Sequence, residues 1–280
     1  MNEKRILTVQ DISCVGQCSL TVALPIISAC GIETAILPSA VLSTHTAGFR
    51  DFTFRDLTDD IPAIVEHWVR EGLAFDAIYT GYLGSARQIA MVGELFERVA
   101  SPDCVRIVDP AMADHGKLYH GFDAEFAATM KGLCAKADIV LPNITEAALM
   151  ADMPFLASGY DEGYIRALME YMLALGAGTV VLTGVSYEAG RVGVAVLARG
   201  DTEISYYFHE RLEKNSHGSG DIFAASFTGA LMRGRTPLES ATIAAEFTVA
   251  AMRETEQSHW YGARFEKALP QLISLLNTKD

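Results

Sequence analysis

Strand-like runs alternate with helix-like stretches along most of the chain. Arg5–Gln10, Glu33–Leu42, Ala74–Thr80, Cys104–Val108, Ile139–Leu141 and Thr179–Leu182 read as strands. Cys18–Cys30, Thr58–Glu71, Ala86–Ala100, Phe122–Ala137 and Gly163–Leu175 read as helices between and around them. Such alternation predicts an α/β fold, a mostly parallel central sheet with helices on both faces. Val192–Leu197 and Glu203–Phe208 have the look of added antiparallel strands. Thr236-Pro237-Leu238-Glu239 is a capping box with proline at the first helical position, so a helix opens there. The last helix is expected from about Gly262 to Leu276. No repeat, low-complexity tract or linker interrupts the pattern, so residues 1–280 are expected to form one domain. Ligands of open α/β sheets bind beyond the carboxyl ends of the strands, and Asp11, Gly81, Asp109, Asn143 and Thr183 stand at those ends.

Charge narrows the partners. The formal net charge is −13, which argues against nucleic acid or an anionic membrane, since both need a basic face. A small anion held by a local loop and a metal stays compatible with it. The five cysteines are scattered, with no C-x-x-C pair, so reduced thiols in a cytoplasmic setting are expected rather than a disulfide framework or a zinc site. The start Met1-Asn2-Glu3-Lys4-Arg5 has no apolar signal region, and no apolar run is long enough to span a bilayer.

The most pointed segment is Asn215-Ser216-His217-Gly218-Ser219-Gly220-Asp221, followed by the small, apolar run Ile222–Met232. Two glycines around a serine let the backbone turn sharply and approach a ligand. Where such a turn opens a helix, free N–H groups and the positive dipole end converge on one spot suited to an anion. A carboxylate in that cradle would repel the anion unless it has a task, and the fitting task is general base toward an alcohol. Asp221 would equally suit a first helical turn for its own sake, where acids are favoured. No Walker A sequence exists, and Phe223 stands where a dinucleotide fingerprint needs its third glycine.

Other candidates also have two readings. Asp109 before Pro110 can place a carboxylate near Mg²⁺ or simply end a strand. Asn143 and Glu146 can face metal-bound phosphates or cap a helix. Thr183-Gly184 can touch a nucleotide or turn the chain. His45 and Thr46 can contact a ring substrate or lie exposed in a loop, and Tyr82 can stack on an aromatic ligand or pack. Residues 113–121, rich in Gly, His and Asp, read as a loop.

Together these residues resemble the ribokinase-like superfamily, in particular its pyridoxal/pyridoxamine kinase branch, over nearly the whole chain. Leu42-Ser43-Thr44-His45-Thr46 is similar to the branch's Ser-Asn-His-Thr segment, with Thr44 for Asn. Gly81-Tyr82-Leu83-Gly84-Ser85 matches its Gly-Tyr-Leu-Gly-Ser. Asp109-Pro110-Ala111-Met112-Ala113-Asp114 resembles Asp-Pro-Val-Met-Gly-Asp, Pro142-Asn143 with Glu146 matches Pro-Asn-x-x-Glu, and Gly218-Ser219-Gly220-Asp221 matches Gly-Thr-Gly-Asp. Asp11 departs from the Ser that usually ends the first strand. The resemblance implies a three-layer α-β-α fold that phosphorylates the 5′-hydroxymethyl group of a vitamin B6 vitamer with ATP and Mg²⁺, K⁺ as a stimulating ion, and a homodimer. Asp221 would be the base and Gly218, Ser219 and Gly220 the anion hole. Asp11, His45, Thr46 and Tyr82 would line the substrate ring; Asp109, Asn143, Glu146 and Thr183 would serve ATP, with Asp109 and Glu146 at the metal. Residues 113–121 would be a mobile flap. Two alternatives are carried forward. One is a hydroxymethylpyrimidine (phosphate) kinase, whose Asn-Thr-His-Gly-Thr-Gly-Cys resembles residues 215–220 but not Asp221. The other is a non-catalytic pyridoxal phosphate carrier on the same fold.

Overall fold

The computed structural model describes residues 4–213 and 216–278, so Asn215 of the glycine segment lies outside the described residues. In chain order the elements are β1 (Arg5–Ser13), α1 (Leu20–Ala29), β2 (Glu33–Leu42), β3 (Phe54–Asp56), α2 (Ile61–Arg70), β4 (Phe75–Thr80), α3 (Ala86–Arg98) and β5 (Ala100–Val108). Then follow β6 (Ala113–Asp114), β7 (Lys117–Leu118), α4 (Ala124–Cys134), β8 (Ile139–Val140), α5 (Ile144–Ala151), α6 (Glu162–Leu175), β9 (Thr179–Val185), β10 (Arg191–Ala198) and β11 (Ser205–Glu210). Helices α7 (Ser219–Met232), α8 (Pro237–Arg253) and α9 (Leu269–Asn277) complete the chain.

One nine-stranded sheet runs in the order β11-β10-β9-β8-β5-β4-β1-β2-β3. The pairings from β2 through β1, β4, β5 and β8 to β9 are parallel, and β3, β10 and β11 join antiparallel at the two edges. Parallel strands are buried on both faces, which is why these segments are apolar without a polar side. On β4, Ile78 packs into one core and Ala77 and Tyr79 into the other; on β5, Val108 and Ile107 divide the same way. The first core is closed by α2 to α6 and the second by α1, α7, α8 and α9, giving three α-β-α layers.

Local chemistry sets the helix starts. Ser85, Asp123 and Asp161 each accept a first-turn N–H into their side chains, and Asn143 and Thr236 form complete capping boxes with Glu146 and Glu239. The five cysteines are unpaired. No helix among the described residues is long and apolar enough to cross a membrane.

The expectation of a loop at residues 113–121 is corrected. Ala113 pairs with Leu118 and Asp114 with Lys117, making a small hairpin. Its two central residues, His115 and Gly116, have φ of 51° and 77°, as a two-residue hairpin turn demands. His-Gly is an unusual pair for that turn, and strands of two residues carry no readable period. Helix α5 and the exposed edge strand β3 also go beyond the elements read from sequence.

Candidate active site

Helix α7 begins where the sheet's carboxyl edge faces the second core. Gly218 is its N-cap, in the left-handed region at φ 77°, and no side chain caps the helix. A Cβ on Gly218 would lie 1.7 Å from the Gln17 carbonyl oxygen, so the β1–α1 loop presses directly on the turn. Gly220 differs: beyond its own helix backbone and chain neighbours, a Cβ there would meet no described atom within 4 Å. The first-turn N–H groups of α7 thus border open space, the arrangement that suits an anion.

Asp221 sits in that first turn, half-buried, and burial pushes its carboxyl up to about 7, with the charge of Asp11 adding to the effect. The backbone N–H of Ser19 bonds it and partly opposes the shift. Ser19 was missed by sequence reasoning. It holds φ 55° without being glycine, a strained conformation of the kind that persists where the surroundings enforce it. Its hydroxyl also reaches Asp11, so one residue ties both carboxylates.

Asp109, at the end of β5, feels both Asp221 and Glu146, and burial with these two charges holds its carboxyl well above the usual range. Ala111 donates its N–H to Asp109 Oδ1 at 3.1 Å, from a backbone with φ 33°. Glu146 is 2 % exposed and pushed up to about 7, burial outweighing the hydrogen bonds it receives. Met112 and Ala113 donate N–H groups to its Oε1 at 2.9 and 3.4 Å, and Asn143 donates to its Oε2 at 2.9 Å. The Asn143 side chain accepts from Glu146 N–H and donates to the Ala113 carbonyl at 2.8 Å. Thr145 Oγ1 accepts from Gly116 N–H at 3.1 Å. The first turn of α5 therefore clips the β6–β7 hairpin in place over the acidic group. Thr183 joins the cluster through a bridge to Asn143 and a 2.9 Å bond from its N–H to the Pro142 carbonyl. Tyr119, just past the hairpin, feels Glu146, Asp109, Asp114 and Asp221 together with burial, and its phenol is pushed up; nothing in its sequence context marked it.

Among the described residues, no lysine or arginine acts on Asp109, Glu146 or Asp221. No three His, Cys, Asp or Glu side chains there could hold an ion by themselves. Asp109 and Glu146 are too few for a cage of their own, but two carboxylates could serve Mg²⁺, which keeps water and takes substrate phosphates as its other ligands.

Glu146→Gln is expected to lower stability by about 1–3 kcal/mol, because both oxygens accept N–H groups and an amide nitrogen would face one of those donors. It is also expected to raise the Mg²⁺ concentration needed for half-maximal activity. Thermal melts without metal and a Mg²⁺ titration report the two effects separately. A lower melting point with an unshifted titration would leave Glu146 as a cap and hairpin clip alone.

On the other side of the site, His45 is 4 % exposed rather than lying free in its loop. Ala47 donates its N–H to Nδ1 at 3.1 Å, so Nε2 carries the proton and donates it to the Tyr261 carbonyl at 2.8 Å. Burial lowers its pKa, which keeps the ring neutral. Both nitrogens are engaged, leaving the ring faces, which meet Phe49 and His217 with centroids 5.0 and 5.4 Å away. Thr46 beside it is exposed. Tyr82 is half-buried, stacks on Phe122 at 5.4 Å, and feels the charge of Asp11.

The geometry brings Asp221 beside the N-terminus of α7, couples it to Asp109 and Glu146 on one side and to Asp11, with His45 and Tyr82 near it, on the other. A family profile described as phosphomethylpyrimidine kinase matches residues 24–263. The chain belongs to that family. Its relatives put it in the pyridoxal kinase branch of the ribokinase-like superfamily. It is 26 % identical over 266 residues to the pyridoxine/pyridoxal/pyridoxamine kinase of Bordetella bronchiseptica, covering 90 % of each chain. It is 31 % identical to the crystal structure of pyridoxal kinase from Lactobacillus plantarum, covering 97 % of each, with a TM-score of 0.89. A Bacteroides thetaiotaomicron protein provisionally named a phosphomethylpyrimidine kinase, crystallised with pyridoxal, is 35 % identical at a TM-score of 0.90, with 97 % of this chain and 96 % of that one covered.

Proposed function

We propose that this kinase transfers the terminal phosphoryl group of ATP to the 5′-hydroxymethyl group of a vitamin B6 vitamer. The observation that carries the reading is Asp221, a carboxyl with a pKa of about 7 in the first turn of an uncapped helix N-terminus. The N–H groups of Gly218, Ser219 and Gly220 would hold the phosphoryl oxygens and stabilise the charge that builds on them during transfer. Asp221 would take the proton as the alcohol oxygen attacks phosphorus and ADP leaves. Asp109 and Glu146 would hold Mg²⁺ through water and phosphate oxygens, and the ion would neutralise phosphate charge. Asn143 and Thr183 would bound the nucleotide phosphates, while Asp11, His45, Thr46 and Tyr82 would line the acceptor ring. K⁺ stimulation, a homodimer and a cytoplasmic setting belong to the same proposal.

A second reading, phosphorylation of hydroxymethylpyrimidine or its phosphate, is favoured by the family description and by the Ser216-His217-Gly218 start of the anion loop. Assaying pyridoxal, pyridoxamine, pyridoxine and hydroxymethylpyrimidine with ATP tests both. Turnover of the pyrimidine alone would overturn the B6 reading. Vitamer binding without ATP turnover would leave a carrier, which has no use for a general base.

A further inference from the structure

Asp11 is a buried carboxylate, 4 % exposed, at the end of the strand that borders the acceptor side of the site. Its placement is built into the sheet. The β1–β2 register slips between Gln10 and Ile12, where Gln10 faces Pro38 and Ile12 faces Val41, so β2 carries an extra residue opposite Asp11. A bulge of this kind re-aims side chains, and Pro38, which has no N–H to give, is tolerated where the ladder breaks. Ser13 Oγ donates to Asp11 Oδ2 at 2.9 Å, and the Ser19 hydroxyl supplies a second bond. The backbone N–H of Asp11 itself is a third donor, and three donors still leave part of the carboxylate's acceptor capacity open.

A buried carboxylate ordinarily has a cationic partner. The groups around this one are Ser13, Ser19, His45, Cys18, Tyr82 and Asp221. None of these described groups is a lysine or arginine. His45, the one side chain that could carry positive charge, is held neutral: its Nδ1 already accepts from Ala47 N–H, and a second ring proton would break that bond. Asp221 adds negative charge on the same side. Among the described residues, the acceptor side of the site therefore presents negative potential without a cationic partner.

We infer that Asp11 is a specificity residue that selects acceptor alcohols bearing a positively charged exocyclic amine, with the ammonium group supplying a partner that the described residues do not. This rests on the reading of the site as a kinase of B6 vitamers. Pyridoxamine carries such a group, an aminomethyl that is protonated near neutral pH. Pyridoxine has a neutral hydroxymethyl at the same ring position. Desolvating both charges offsets much of an ion pair's attraction, so the expected selectivity is modest, on the order of tenfold in kcat/KM.

The test measures kcat/KM for pyridoxamine and pyridoxine with the wild-type protein, Asp11→Ser and the isosteric Asp11→Asn. The wild type should prefer pyridoxamine by about tenfold, and both variants should shrink that ratio by weakening pyridoxamine more than pyridoxine. Calorimetric binding of the two vitamers to each protein gives the same comparison without turnover. A wild type that phosphorylates both equally, or prefers pyridoxine, overturns the inference while leaving the B6 reading intact. Variants that weaken both vitamers by the same factor overturn it too, assigning Asp11 to a group the vitamers share, such as the ring nitrogen. A wild type that phosphorylates neither of these two vitamers overturns the inference, and one that also fails on pyridoxal overturns the B6 reading with it.

Discussion

Replacing Asp221 by asparagine is expected to lower kcat by roughly 10²–10⁴-fold, the usual worth of a positioned general base. The amide keeps the shape of the carboxyl and can still accept the Ser19 N–H, so the open turn of α7 should survive and ATP should still bind. What is lost is the proton acceptor. A pKa of about 7 also predicts the pH dependence of the wild type: kcat/KM should rise as pH rises through about 7, as Asp221 loses its proton, and then level off. The variant should lack that limb. Stability runs the other way. A carboxyl whose folded-state pKa lies above its ordinary value of 3.8 favours the folded state at low pH, and that contribution is lost as pH climbs to about 7. Asp221→Asn should therefore be at least as stable as wild type above pH 7, which separates a lost base from a damaged fold. Retention of kcat to within about threefold of wild type, with chemistry shown to limit the rate, would remove Asp221 from the base role.

The residues that proved legible in sequence are those whose signal is local. Asn143 with Glu146 and Thr236 with Glu239 announce capping boxes because both halves lie within one turn. The strand end before Asp109 is visible because the apolar run stops there; β1 and β9 run on past Asp11 and Thr183, to Ser13 and Val185. The features that escaped depend on partners far along the chain. The proton on His45 Nε2 is taken up by the Tyr261 carbonyl, 216 residues away in sequence. The third N–H on Glu146 comes from a hairpin whose His-Gly turn imitates a loop. Ser19 is the N-cap of α1, yet its side chain caps nothing; its hydroxyl reaches Asp11 and its backbone N–H reaches Asp221. Tertiary contact, not propensity, gives each of these its role. They cluster at the site, where local rules are most often broken for function.

Valine at Gly220 should abolish most phosphoryl transfer while leaving the protein folded, and valine at Gly218 should do both kinds of harm. The difference follows from what each added side chain meets. At Gly218 the backbone has φ 77° and a Cβ would lie 1.7 Å from the Gln17 carbonyl, so the turn cannot keep its shape. The left-handed conformation alone costs about 1–3 kcal/mol for a side-chain-bearing residue, and the clash adds to it. At Gly220 the backbone is helical, and beyond its own helix backbone and chain neighbours a Cβ meets no described atom within 4 Å. Valine is no worse than glycine in a helix, so stability should change by less than about 1 kcal/mol. The branched side chain would instead fill the space bordered by the first-turn N–H groups, where the phosphoryl oxygens are proposed to sit. Keeping those oxygens off the donors should cost an amount comparable to losing an oxyanion-hole donor, roughly 10²–10³-fold in kcat. Melting curves and steady-state kinetics on the two variants give four outcomes to compare. A Gly220→Val protein with wild-type kinetics would mean that the space in front of α7 is not where the phosphoryl group is held, however well the loop matches its relatives. A Gly220→Val protein that melts early would mean that the space is filled by the fold itself. Only a stable, inactive Gly220→Val beside a destabilised Gly218→Val matches a turn whose first glycine serves the chain and whose second serves the ligand.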